Sequence, residues 1–167
     1  FAKSEIVPSN KDRFLRKETL QGFVHDEASA FFGGLAGNAG LFSTARDVAR
    51  VYQMLLNGGE IDGQRYLSKE TCQLFTTEIS KISRRGLGFD KPDADDPKKG
   101  NCAPAAPAEV YGHTGFTGTC AWVDPMNELV YVFLSNRIYP DVTNRKLNQL
   151  HIRERIQGAI YDAMKKK

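Results

Sequence analysis

Two β-prone runs joined by one tight turn constrain this chain more than any other feature. Residues 112–124 are rich in Thr, Phe, Cys, Ala and Trp, and residues 129–135 read L-V-Y-V-F-L-S. Between them Asp124-Pro125-Met126-Asn127-Glu128 is a turn, because proline presets φ and Asp and Asn accept local hydrogen bonds. The pattern predicts an antiparallel hairpin whose second strand is apolar enough to be buried on both faces. Gly86-Leu87-Gly88-Phe89 is a candidate third strand.

Upstream the period is helical. Thr44-Ala45-Arg46-Asp47 has the shape of a capping box, with Asp in place of the usual Glu or Gln. Ala45, Val48, Ala49, Tyr52, Leu55 and Leu56 recur at i, i+3, i+4 spacing, and Gly58 and Gly59 stop the run. This predicts a helix over 44–57. Ser68 caps a shorter helix through Phe75, and Asp26 caps another just after Val24-His25. Leu150, Ile152, Ile156, Ala159, Ile160, Ala163 and Met164 form a looser stripe that predicts a C-terminal helix. The fold class is α+β: an antiparallel sheet of about three strands with flanking helices. Residues 1–22 are polar and without period and read as an extended arm. Residues 90–109 hold four of the seven prolines and read as a long surface loop.

Composition narrows the chemistry. The chain has 167 residues, about one domain, with 41% hydrophobic and 26% charged residues. That is a globular composition. A net charge of +3 is too small to imply a nucleic-acid partner, and none is expected. The one basic run is Lys165-Lys166-Lys167, read as a frayed tail. No apolar run approaches the roughly 20 residues of a membrane span, and no signal peptide is visible. Three widely spaced cysteines (Cys72, Cys102, Cys120) and three scattered histidines fit neither a disulfide framework nor a metal site. No metal or cofactor is expected. Cys102, in the loop, is the one candidate reactive thiol. Gly33-Gly34-Leu35-Ala36-Gly37-Asn38-Ala39-Gly40 lacks the ending of a phosphate loop and reads as a tightly packed turn beside a pocket.

The candidate chemistry lies in His113-Thr114-Gly115-Phe116-Thr117-Gly118-Thr119, at the head of a strand. Glycine inside a strand marks a bulge or a close backbone approach. A strand edge with a basic or polar side chain, a hydroxyl and bare backbone can hold an acyl-peptide as an added strand. A backbone N–H there can aim at a developing oxyanion. The alternative for His113 is a satisfied structural histidine. For His25-Asp26 the alternatives are a helix cap with a packed histidine, or support behind the site.

His-Thr-Gly at the start of a strand resembles the third motif, Lys/His-Thr-Gly, of the serine β-lactamase and penicillin-binding-protein superfamily. The residues that carry the likeness run in order. They are Val24-His25-Asp26, the glycine run through Leu41-Phe42-Ser43-Thr44-Ala45, Tyr111-Gly112-His113-Thr114-Gly115-Phe116-Thr117-Gly118, Trp122-Val123-Asp124-Pro125 and Leu134-Ser135-Asn136-Arg137-Ile138-Tyr139-Pro140. This series resembles the C-terminal half of class C β-lactamase-like hydrolases over residues 20–165. The resemblance implies an incomplete β-lactamase/transpeptidase-like domain over residues 23–167. It implies catalytic roles for His113, which would donate toward the nucleophile or a substrate carboxylate, and for the Phe116 N–H as one arm of an oxyanion hole. Thr114 and Gly115 would contact substrate, with Asn38 and Ala39 lining the acyl pocket. The implied partners are an acyl-peptide, ester or β-lactam-type small molecule and the upstream half of the same domain. The implied location is the bacterial periplasm or cell envelope.

The departures from that family carry as much weight. No serine in the chain begins S-x-x-K, and neither Y-x-N nor S-x-N occurs. In the family both motifs precede the matched region, so the expectation is a C-terminal segment that begins at Phe1 as a processed or cut piece. It is expected to be inactive alone. It would expose an apolar flank suited to a homodimer. Asp141 follows Tyr139-Pro140 where class C enzymes carry Asn, and its charge would repel an anionic substrate. Two other readings stay open: a catalytically dead module binding peptidoglycan peptides, and a structural domain fused to another enzyme.

Overall fold

The computed structural model describes residues 2–96 and 100–165. The predicted hairpin forms the centre of the molecule. β5 (Tyr111–Thr114), β6 (Cys120–Asp124) and β7 (Leu129–Phe133) make an antiparallel sheet in the order β5-β6-β7. Trp122 sits opposite Gly112 on one side and Tyr131 on the other. Before the sheet come the short hairpin β1 (Pro8–Lys11) and β2 (Thr19–Gln21), α1 (Glu27–Phe31), α2 (Ala45–Leu56), the small hairpin β3 (Glu60–Ile61) and β4 (Gln64–Arg65), and α3 (Lys69–Thr76). The one-turn α4 (Lys146–Gln149) and α5 (Ile152–Met164) close the chain. The architecture is α+β, an antiparallel sheet with flanking helices, as expected.

The caps fall where the sequence puts them. Thr44 Oγ1 accepts from Asp47 N at 3.1 Å, Ser68 Oγ from Thr71 N at 3.1 Å and Asp26 Oδ1 from Ser29 N at 2.8 Å. Gly58 and Gly59 end α2 with φ of 66° and 95°.

Five expectations are corrected. Residues 1–22 are not a plain arm: a 3₁₀ turn (Lys3–Glu5) leads into the β1–β2 hairpin. Asp12 organises the connection, accepting from Phe14 N, Leu15 N and the Arg16 guanidinium. The strand buried on both faces is β6, not β7, because β6 is central and β7 is an edge. The run 86–89 forms a turn closed by Gly86 N–H on Phe89 O, with Gly88 at φ 142°; only Asp90 bridges to Gly112. The 90–109 loop is anchored inward by Asp90, Lys91, Cys102 and Ala103, all buried; residues 97–99 lie outside the described residues, as do Lys166 and Lys167 of the basic run. Cys102 is 2% exposed, and burial pushes its thiol up to about 12, so it is not a reactive nucleophile.

The sheet separates two packing faces. On one, Cys102, Val110, Cys120, Trp122 and Tyr131 form the core, with Ile160 of α5 packed on it. The stripe that α5 buries is polar rather than the apolar one expected: Arg153, Gln157 and Tyr161. Each has backbone or carboxylate work to do there. Gln157 Oε1 accepts from Ala103 N at 2.8 Å, and Tyr161 OH donates to Asp124 Oδ2 at 2.8 Å. On the other face α2 packs against β6 and β7. No residue of α2 is fully buried, and Leu41 and Val51 stay exposed, so an apolar flank is open. Among the described residues, no helix is long and apolar enough to cross a membrane.

Candidate functional site

Strand β5 delivers His113 and Thr114 to the mouth of a cavity, and a tight turn follows over residues 115–119. Gly115 N–H donates to Thr119 O at 2.8 Å, and Gly118 N–H to Gly115 O at 2.9 Å. Gly118 needs glycine for its backbone, and a side chain at Gly115 would displace a neighbouring hydroxyl. A Cβ on Gly115 would lie 2.3 Å from Thr119 Oγ1, and one on Gly118, at φ 103°, would lie 2.5 Å from Ser135 Oγ. The segment after β7 ties the turn from outside: Ser135 Oγ–H donates to Gly118 O at 2.9 Å and Arg137 N–H to Thr117 O at 2.9 Å. Among the described residues, nothing accepts from the Phe116 N–H at the head of the turn.

The cavity has a volume of about 470 Å³. It brings together His113, Thr114, Gly115 and Phe116 with Asn38, Ala39 and His25, residues separated by up to 91 positions in sequence. Asp26 lines a second cavity of about 850 Å³, which shares His25, Asn38, Ala39 and Phe116 as a common wall. The wall is tied together. Asn38 Nδ2 donates to Asp26 Oδ1 at 3.3 Å, and Ser29 Oγ–H donates to Asn38 Oδ1 at 3.1 Å. The backbone hydrogen bond from Ser29 to the Asp26 carboxylate holds that carboxyl below its ordinary range.

The His113 ring contacts Thr114 O through Nδ1 at 2.6 Å. A carbonyl only accepts, so Nδ1 carries the proton; in the neutral ring Nε2 is an acceptor, and only the imidazolium can donate from Nε2. Ser43 lines the same cavity, but among the described residues its hydroxyl reaches only Thr44 O, at 3.5 Å, and no base is hydrogen-bonded to it. Asp141 lies in the second cavity, its carboxylate accepting from Thr143 N and Thr143 Oγ1.

Contacts that no sequence pattern foretold complete the wall. The Phe116 ring stacks on His25 with centroids 5.1 Å apart and planes 4° from parallel. The Arg137 guanidinium carbon sits 4.7 Å from the Phe116 centroid. Phe116 thus lies against an imidazole and a cation. Burial lowers the His25 pKa; Asp26 opposes this, while Arg16 and Arg137 add to it. Arg16 also clamps the backbone below the stack, donating to Val24 O and His25 O at 2.8 Å each. The N-terminal hairpin therefore supports the site through Asp12 and Arg16. Arg16 has a local ion-pair partner in Asp12, but its reach to Val24 O and His25 O, and that of Arg137 to the Phe116 ring, follow no local pattern.

The comparisons with known proteins agree with this architecture. A family model described as Beta-lactamase matches residues 6–154. The chain belongs to the beta-lactamase family. It is 36% identical over 135 residues to a protein of Escherichia coli (strain K12) named "Putative D-alanyl-D-alanine carboxypeptidase", the match covering 80% of this chain. Proteins of the same name in Salmonella agona (strain SL483) and Salmonella typhi match at the same identity and coverage. The chain spans 31% of the length of these relatives. The family relationship is to β-lactamase and penicillin-binding-protein-type serine hydrolases, as the ordered motif series implies.

Proposed function

We propose that this beta-lactamase-family chain supplies the substrate-holding strand and half the oxyanion hole of a serine acyl-hydrolase that works through an acyl-enzyme. One observation carries the reading: a single cavity gathers His113, Thr114, Gly115 and Phe116 with Asn38 and Ala39, and the Phe116 N–H is uncommitted at its rim. In this reading the Phe116 N–H receives the developing oxyanion. Thr114 and His113 hold a substrate carboxylate, and Gly115 leaves room for the substrate backbone. Asn38 and Ala39 line the acyl pocket, and Asp26 and His25 steady them.

The substrate class follows from the name of the relatives: a peptide ending in D-alanyl-D-alanine, met in the cell envelope. The nucleophile and its base come from the S-x-x-K and Y-x-N segments, which these 167 residues lack. The open flank along α2 is where the segment carrying them would pack. No turnover is expected from this chain alone.

Intact mass after incubation with a penicillin, and separately with a fluorophosphonate, tests this. No adduct is expected on this chain, and a stoichiometric adduct is expected on a longer protein carrying both motifs. An adduct on this chain alone would mean that one of its own serines is activated and would overturn the assignment. A longer protein that binds the peptide but never acylates would instead favour the dead binding module.

A further inference from the structure

Arg153 poses a problem that the site as described does not solve. It is a cation on α5, on the far side of the sheet from α2, and it is 7% exposed. A buried guanidinium carries a desolvation cost that only good pairing offsets. Its nearest carboxylate oxygen, Glu154 Oε1, is 3.9 Å away, beyond hydrogen-bond range. Among the described residues its Nε–H is buried with no partner, and so is Glu154 Oε2. The hydrogen bonds it does make run elsewhere: Nη1 to Thr119 O at 3.3 Å and Nη2 to Asn148 Oδ1 at 3.3 Å.

Thr119 O is also the acceptor that closes the 115–119 turn, receiving Gly115 N–H. Arg153 therefore grips the turn at its closing carbonyl, from behind the sheet. Ser135 grips Gly118 O and Arg137 grips Thr117 O. Three consecutive carbonyls of the turn are thus each held by a donor from outside it. With these three held and Gly115 O taken by Gly118 N–H, the turn resists pivoting, and the peptide N–H at its head keeps one direction.

Two of these three donor residues are arginines flanking the turn, and Arg137 has no carboxylate within ion-pair distance among the described residues. Burial, then Arg153 and Arg145, hold the Arg137 pKa below its ordinary value, so the two guanidinium groups act on the same small region. Fixed positive charge behind an N–H donor strengthens its attraction for a developing anion.

We infer that Arg153 is a positioning residue: its guanidinium fixes Thr119 O and thereby the turn that aims the Phe116 N–H at the reacting carbonyl. This deepens the proposed function and rests on it for the meaning of that N–H. The geometric half, that Arg153 holds the turn, stands independently.

The test has two arms. In this chain, amide hydrogen exchange is followed by NMR in wild type, Arg153→Met, Arg153→Lys and Asn148→Ala. Loss of one charge-assisted hydrogen bond predicts that Gly115 N–H exchanges about tenfold faster in Arg153→Met, with the central-strand amides of Trp122 and Val123 unchanged. Arg153→Lys is intermediate. Asn148 is exposed, so Asn148→Ala leaves the fold intact; freeing one arm of the guanidinium, it raises Gly115 exchange about threefold. If Arg153→Met does not fold, the other two variants decide. An unchanged Gly115 rate, or equal acceleration at Trp122 and Gly115, overturns the inference, since the second pattern means only global stability was lost.

In a longer protein carrying S-x-x-K and Y-x-N, Arg153→Met lowers the acylation rate constant for a fluorescent penicillin about tenfold and leaves its noncovalent Kd within about twofold. Equal loss in both overturns the positioning role. If the wild-type longer protein never acylates, the hydrolase reading fails, and the exchange data still decide whether Arg153 holds the turn.

Discussion

Asp90→Asn is the perturbation whose size the structure lets one work out. Asp90 is 1% exposed and bridges to Gly112, the residue before His113, by Asp90 N–H on Gly112 O at 2.7 Å and the reciprocal bond at 3.1 Å. Its carboxylate accepts from Arg84 Nε at 2.8 Å, Arg84 Nη2 at 3.1 Å, Asn101 Nδ2 at 2.9 Å and Lys91 N at 3.0 Å. Burial by itself would raise this carboxyl, but the Arg84 and Asn101 hydrogen bonds outweigh it and hold it below the usual range. Asparagine keeps the shape, loses the charge and turns an NH₂ toward donors. Breaking a buried pair costs about 3–5 kcal/mol. Arg84 is one-third exposed and keeps Asp93 at 3.5 Å, so it rehydrates in part. The expected loss is therefore about 2–3 kcal/mol, a fall in Tm of roughly 4–12 °C for a domain of this size. Circular dichroism melts at pH 7 measure it. Because the folded carboxyl is held below its unfolded value, its stabilisation is present above about pH 4 and lost as pH falls through the folded pKa. The gap between wild type and variant must then narrow as pH falls below about 4, the unfolded value. A Tm change under about 1 °C at pH 7, or a gap that does not close in acid, would refute the reasoning.

Three further outcomes are expected. Gly112→Ala places a Cβ 2.1 Å from Ala121 O and 2.8 Å from Trp122 Cα, backbone atoms that cannot step aside, so it costs about 3 kcal/mol or more by urea unfolding. Phe116→Ala uncovers His25, whose pKa by NMR titration moves up toward its ordinary value; in wild type the lowered value means stability begins to fall as pH drops below about 6.5, the unfolded pKa. Cys72, Cys102 and Cys120 are all buried, so Ellman's reagent finds essentially no reactive thiol in the native chain and three after unfolding.

What could be read from the sequence was local or carried by the ordered motif series. The Thr44 and Ser68 caps, the Asp26 cap, the α2 stripe and the β6–β7 hairpin each announce themselves within a dozen residues. The turn chemistry at Asp124 did so as well: its carboxylate accepts from Met126 N at 2.9 Å and Asn127 N at 3.1 Å. The β1–β2 hairpin stayed hidden because Pro8, Ser9, Asn10 and Lys11 offer no apolar alternation, and its register is broken between Pro8 and Asn10. The site's first line of residues was visible through the motif that carries them, but the groups that hold it were not.

The invisible part follows one physical rule. Arg137 and Arg153 act on backbone carbonyls or an aromatic face, as does Arg16 beyond its ion pair with Asp12, and such partners leave no complementary letter in the sequence. A carboxylate partner would have suggested a pair; a carbonyl belongs to every residue. The polar stripe of α5 misled for the same reason. Arg153 and Gln157 look like a solvent face until Thr119 O and Ala103 N are brought beneath them by the sheet and the loop. A rigid turn at the end of β5 thus depends on donors lying 17 to 34 positions downstream. That dependence ties the geometry of the candidate oxyanion donor to the folding of the whole C-terminal helix rather than to the motif alone. Substitutions along the buried stripe of α5 should therefore reach the site before they unfold the chain.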